Sequence, residues 1–511
     1  MQTNGWVVLV TIAAYMVLIV GVGIYFSRRA GHGAAAFFLG GRSLGPLVTA
    51  MSAEASDMSG WLLMGMPGLA LLCGTAEAVW TALGLAIGTY LNWLIVARRL
   101  RRYTVLTGSI TVPDFFSRRF QDERHILSTL AAVMIIVFFV PYTASGFVTC
   151  GKLFSTLFGT SYRQAMLLSA AIIVLYTALG GFLAASVTDY LQSILMTVAL
   201  LAVIGFGTVC AGGVGNVVEN ARSIPQYLSL TAVSEAGEGS FAFLSILSTM
   251  AWGLGYFGVP HVLVRFMAIR REEELPLARR IGSVWVVISM AAAIVIGIVG
   301  RALMDGGVLG PYASTTESET VLVGIASLIS GSGPILAVLA GLILAGILAA
   351  TMSTADSQLL TAASAVSEDL IRGAFGRRVG EKQSLWIARA TVVAVSLVAA
   401  VLALDPDSSV FQIVSFAWAG FGAAFGPLML FSLFWKRTTR KGAVAGMVTG
   451  GAVIFLWKFL VRPNVASLDF YELLPAFLLS ALAIFLVSRL TAPPSAQVQA
   501  VFDRVSQKEA A

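Results

Sequence analysis

An α-helical integral membrane fold is predicted, and three observations predict it. Apolar residues make up 58% of the 511-residue chain, charged residues only 12%, and mean hydropathy is +0.87, outside the range of soluble globular proteins. Stretches long enough to cross a bilayer, about 20 apolar residues, recur along the whole sequence, with 191–210 and 281–299 as clear cases. These stretches are apolar on every side, whereas a membrane barrel would alternate apolar and polar residues in short segments.

Thirteen spans are predicted, at 6–26, 44–72, 75–98, 126–157, 163–181, 190–211, 240–267, 280–303, 334–366, 386–403, 408–435, 442–460 and 471–490. Span 1 exceeds a signal-peptide core and no basic residue precedes it, so it is read as a retained helix. Spans 2 and 7 are interrupted, by Asp57-Met58-Ser59-Gly60 and by the run from Gly253 to Pro260. Span 4 contains Pro141, span 6 begins beside Asp189, and span 9 carries a dense set of polar oxygens. The gaps 99–125, 212–239 and 304–333 are too short for a second folded domain, so 1–490 is read as one membrane domain. The Pro-initiated tail, 491–511, is expected to be cytoplasmic and mobile or weakly held at the surface.

In a membrane protein the net charge of +7 takes its meaning from position. With the N-terminus outside, inner loops and adjoining helix ends hold 27 of the 33 Lys and Arg residues, leaving Lys152, Arg163, Arg222, Arg301, Lys458 and Arg462 outside. That asymmetry predicts a cytoplasmic C-terminus, and no nucleic acid is expected as a partner. Cys73, Cys150 and Cys210 have neither metal-site nor disulfide spacing. His32 and His125 lie in basic segments and His261 follows the second break, with no metal pattern among them.

Spans 2 and 7 are five apart, and broken helices at matching places in two halves point to an inverted-repeat transporter with a midplane site. Spans 2–6 and 7–11 would be the repeats. Asp57 is the first candidate, because a carboxylate inside an apolar span costs several kcal/mol unless it meets water, an ion or a cation. Freed carbonyls at Met58 to Gly60 are the hard ligands a small cation prefers; the blander reading is a structural acid bonded to loosened backbone. In span 9, Ser353, Asp356 and Ser357 share one helical face by their i, i+3 and i+4 spacing, although Ser and Thr in helices also back-bond to carbonyls four residues earlier. That face, with Asp189, is expected to form a second cation or proton site, against the alternative of an acid facing the cytoplasmic water path. Trp252, Tyr256 and Pro260 would form one stripe in a regular helix, with glycines between them letting a solute approach the backbone, or else would simply pack the core. Tyr142 is read similarly, and Arg42 is a topology anchor or an inner gate.

The segments Ser56 to Gly65, Trp252 to Gly258 and Trp418 to Pro427 resemble the sodium:solute symporter family, and the likeness runs from Trp6 to about Leu490. It implies a LeuT-like core of two inverted five-helix repeats with discontinuous helices 2 and 7. It also implies Na+ held by the carbonyls of Ala55, Met58 and Ala350 and the hydroxyls of Ser353 and Thr354, with support from Asp57. By the same likeness Ser59, Gly60, Tyr142, Trp252, Tyr256 and Pro260 lie at or line the substrate site, and Arg42 lies near the inner end of the pathway. The first and third segments fit the proline-carrying branch, which implies sodium-coupled proline uptake; another amino acid, pantothenate, a sugar or a monocarboxylate is the alternative. Three places depart from the family pattern: the acid in Asp356-Ser357, the stretch 320–334 without an expected acid, and apolar Val259 where an amide is expected. An intramembrane enzyme would need paired acids for metal-bound phosphate or a nucleophile and base in one cavity, and neither set is found. A solute sensor would need an attached signalling domain, and the tail is too short to supply one.

Overall fold

Every named secondary-structure element is helical, and the computed structural model describes residues 4–29, 33–232, 243–376 and 380–507. Among them ten helices are long and apolar enough to cross a membrane, or eleven when the bent pair Phe243–Phe257 and Pro260–Ala268 is taken as one span. Two of the thirteen expected spans fall outside that count. The second is divided into Pro46–Asp57 and Trp61–Cys73, and the fifth, Tyr162–Ala178, is too short for the length criterion. His32 and the first residues of predicted span 7, 240–242, lie outside the described residues.

The physical cause of each break is local. The helix Pro46–Asp57 ends where Met58 leaves helical geometry at φ −77° and ψ 69°, and the chain re-enters a wide helical turn at Trp61–Gly65. In the second broken helix, Ala251–Phe257 tightens to a 3-10 turn before Pro260 begins a new helix, and the two parts meet at 45°. Proline at the first helical position loses no hydrogen bond there. Glycine permits the close packing around this turn. A Cβ on Gly255 would stand 1.9 Å from Trp418 Nε1, and one on Gly88 would stand 2.3 Å from the Gly253 carbonyl.

At one end of the bundle the two broken helices are tied together. The Leu44 amide donates to Ala268 O (3.3 Å) and the Arg270 amide donates to Leu44 O (2.9 Å), forming an isolated bridge. The tail differs from its expectation. Ala496–Gln507 is a helix that buries Val498, Phe502 and Val505, and Asp503 pairs with Lys436 at 2.6 Å. Its apolar face repeats at i, i+4 and i+7, a pattern that a reading by polarity alone passes over.

Candidate ion and solute site

The break in the first discontinuous helix determines which oxygens are free. In an unbroken helix the Ser59 amide would bond to Ala55 O; here it turns to Asp57 O at 2.9 Å, and the Ala55 carbonyl is released. The helix Pro334–Ser364 faces this carbonyl and supplies the Ser353 hydroxyl, which donates to it at 2.8 Å. Ser353 Oγ and Thr354 Oγ1 each lie 3.1 Å from Ala350 O. Two carbonyls and two hydroxyls are thus gathered in a site where Ala55, Met58, Ala350, Ser353 and Thr354 are all buried. A dense set of uncharged hard oxygens is what a small monovalent cation requires of its ligands.

Asp57 joins this cluster to an aromatic one. Its carbonyl accepts from Tyr142 Oη and Trp61 Nε1, both at 3.2 Å, and its carboxylate accepts the Tyr256 hydroxyl. Its other carboxylate oxygen is buried with no hydrogen-bond partner among the described residues. Ser59 sits one residue past the break, and Gly60 packs so closely that a Cβ would stand 2.3 Å from Thr149 Oγ1. The expected stripe of Trp252 and Tyr256 does not form. In a 3-10 turn, positions four apart diverge by about 120°. Trp252 therefore faces Trp61, Phe411 and Tyr471, with centroids at 5.8, 5.3 and 5.4 Å, while Tyr256 meets Trp418 edge-on at 5.1 Å. The Trp418 indole donates to Trp252 O at 2.7 Å and pins the turn. Pro260 opens the helix beyond it and is buried.

A cavity of about 660 Å³ reaches this aromatic group from one end, lined by Trp252, Tyr471, Phe411, Gly65 and Glu319 among others. The opposite end is closed around Arg42. Gly40, Gly41 and Arg42 all adopt positive φ, near 60°, a conformation glycine takes freely and arginine does not. This turn aims the guanidinium into a cage of carbonyls: Met267 O at 2.6 Å, Ser109 O at 2.7 Å and Thr104 O at 3.0 Å. Burial first, and Arg101 nearby, hold the Arg42 guanidinium down at about 10, still cationic at neutral pH.

Asp189, on another helix, and Ser357 are joined by a partner that sequence reasoning missed. Arg265 is 1% exposed and pairs with Asp189 at 3.1 Å; it also donates to Ser357 Oγ and, at 2.7 Å, to His261 O. Ser52 donates to Asp189 at 2.7 Å. Asp356 is bonded to Thr177, and its second oxygen is buried with no hydrogen-bond partner among the described residues. Thr177 has one hydroxyl hydrogen and also contacts Ile173 O at 2.9 Å, so the two acceptors share a single proton between them.

Two more ionic features were missed. Glu54 is buried beside the break, accepting from Trp93 Nε1 at 2.8 Å and Thr89 at 3.0 Å. Glu319, immediately before the stretch that lacked an acid, pairs with Lys152 at 2.6 Å and caps the helix Val410–Phe434 through the amides of Val410 and Phe411, each at 3.1 Å. The signal was available: Glu54 and Arg265 are charges inside predicted spans, the criterion that singled out Asp57.

Comparison with known proteins decides the family. The chain matches the Sodium:solute symporter family over residues 37–450. It belongs to that family. The protein is a multi-pass membrane symporter coupled to sodium. Among its relatives are sodium/proline symporters of Staphylococcus aureus strains, for example JH9 and COL, 39% identical over 508 residues, covering 98% of this chain and 96% of theirs. A solved Na+-coupled sialic acid symporter in a substrate-bound outward-open state superposes with a TM-score of 0.78 over 96% of this chain and 99% of its own, at 17% identity. Mhp1, a nucleobase-cation-symport-1 transporter in a closed conformation with bromovinylhydantoin bound, gives 0.55 over 91% and 97%, at 14% identity. At these identities the likeness establishes the fold, that of LeuT-like transporters.

Proposed function

We propose that this symporter carries L-proline inward with sodium by alternating access, across a bacterial inner membrane, with its N-terminus outside and its C-terminus in the cytoplasm. One domain of thirteen spans performs the work, and spans 2–6 and 7–11 are its inverted repeats. The carrying observation is the released Ala55 carbonyl meeting the Ser353 hydroxyl at 2.8 Å, two residues from a carboxylate that touches the aromatic group. Sodium bound by Ala55, Met58, Ala350, Ser353 and Thr354 would draw Pro46–Asp57 onto Pro334–Ser364. The same displacement sets Asp57, and through it Tyr142 and Tyr256, for the solute. Ion binding then preorganises solute binding, and coupling is a shared geometry, reciprocal by linkage.

Proline fits an aromatic wall with exposed backbone, because it is a compact apolar ring bearing a carboxylate and an amine. Trp252, Tyr142, Tyr256, Ser59, Gly60 and Pro260 form that wall. The names of the Staphylococcus aureus relatives support the same solute. Apolar Val259 favours a second reading, a related small solute. Competition by a panel of amino acids, sugars and vitamins against labelled proline separates the two: tight binding of another compound with none of proline overturns the solute and leaves the fold standing.

Arg42 is the inner gate in this reading, since its carbonyl cage must open for release. Asp356, with Asp189 and Ser357, is a second ion site. Arg265 already neutralises Asp189 in this conformation, so an added cation or proton would be held mainly by Asp356.

A further inference from the structure

The end of the bundle closed by Arg42 carries a second cavity, of about 330 Å³, lined by none of the residues assigned above to ion or solute. Its walls are the segment 108–128 and the last turns of the long ninth span, where Ala365–Ala374 widens into a π-helix. Such widened turns occur often at functional sites. Here the turn brings Glu368, Asp369 and Arg372 to one wall, opposite Asp114, Arg118 and His125.

Among the described residues, charge pairing leaves one acid of this cavity uncommitted. Arg118 pairs with Asp114 and Arg372 with Glu368, each at 2.7 Å. Asp369 is 3% exposed, and its Oδ2 has no hydrogen-bond partner among the described residues. Its Oδ1 accepts from Thr111 Oγ1 at 2.9 Å. Thr111 accepts the Asp114 amide at 3.0 Å as the cap of Val112–Arg119, so its one hydroxyl hydrogen goes to Asp369, which is held as an acceptor. The cavity thus offers one unpaired buried carboxylate. It also offers two guanidinium groups that are about half exposed, at 50% and 45%, with N–H groups to spare.

We infer that this cavity is a binding site for a small zwitterionic amino or imino acid on the cytoplasmic side, with its ammonium on Asp369 and its carboxylate on Arg118 and Arg372. The volume suits a small metabolite, and an unpaired acid between two cations of spare capacity recognises opposite charges a few ångströms apart. The inference rests on the proposed solute and orientation: the transported imino acid, once accumulated inside, is the occupant. Bound there it bridges the segment 108–128 to the ninth span beside the Ser109 carbonyl that holds Arg42, and so opposes inner opening. Accumulated product would slow further uptake.

The test uses the full chain. Uptake of labelled proline is measured in proteoliposomes loaded with increasing internal proline, and binding of labelled proline to detergent-solubilised protein is measured without sodium. Internal proline should inhibit, the half-inhibitory concentration should rise at least tenfold in Asp369→Asn, and the external KM should stay within twofold. Sodium-free binding should be present and lost in the same variant. Arg372→Gln should weaken that binding while retaining uptake. Uptake without any sodium-free binding overturns the inference and leaves the proline reading intact. Sodium-free binding lost in Asp369→Asn, without uptake, sustains the site and sinks the transport reading. An equal shift of external KM in Asp369→Asn would assign the residue a structural role and also overturn the inference.

Discussion

Replacing Ser353 by Ala removes one hydroxyl of the proposed five-residue sodium set and the hydrogen bond to the released Ala55 carbonyl, at 2.8 Å. The variant leaves the helix Pro334–Ser364 intact, since alanine is a better helix former than serine. The loss therefore falls on the ion. A hydrogen-bonding or ligating group on a charged species is worth about 1.5–3 kcal/mol, and each 1.4 kcal/mol is tenfold in affinity, so apparent sodium affinity should weaken roughly 10- to 150-fold. Thr354→Val, which removes the second hydroxyl near Ala350 O, should deepen the effect in the double variant. The assay is initial uptake of labelled solute against external sodium in proteoliposomes, with choline as the replacing cation. At saturating sodium the half-saturating solute concentration should return to within a few-fold of wild type. Unchanged half-saturating sodium, or a solute KM that stays raised at saturating sodium, would refute the assignment of these hydroxyls to the ion.

Three other outcomes follow from the geometry. Gly60→Ala sets a Cβ 2.3 Å from Thr149 Oγ1; overpacking of this kind costs about 1–3 kcal/mol, and thermal stability and uptake should both fall and recover in part with Thr149→Ala. Lys152→Ala leaves Glu319 buried against the helix Val410–Phe434 without its cation, a loss of about 3–5 kcal/mol for fully buried pairs. The melting temperature should drop, and Glu319→Gln in the same chain should restore most of it. Asp356→Ala should remove any sigmoidal sodium dependence and any charge in excess of one per neutral solute if a second sodium binds there, or flatten the pH profile if a proton does. An unchanged sodium slope, charge ratio and pH profile would remove the second site.

Much of this site was legible in the sequence because membranes make polarity expensive. Asp57, Ser353 and Asp356 stood out as oxygen-bearing residues in apolar surroundings, and the structure brings Asp57 to Tyr256, and Ser353 to Ala55. Spacing along one helix could not identify partners on another. Arg265 took Asp189 from a helix 76 residues away, and Lys152 met Glu319 across 167. The regular stripe assumed for Trp252 and Tyr256 failed because periodicity presumes an α-helix, and the glycines that allow close approach also allowed a 3-10 turn. The tail was judged by its polar composition, which overlooked three apolar residues on one face and left Phe502 without the Arg119 guanidinium it covers at 5.2 Å.

The central claim is that solute movement is driven by sodium through the Ala55–Ser353 site. Accumulation of labelled proline in proteoliposomes carrying the full chain, with an inward sodium gradient and then with choline in its place, tests it most directly. Concentrative uptake that collapses when sodium is removed is the predicted result. Proline uptake equal in sodium and choline, or no proline uptake under either gradient, would contradict it.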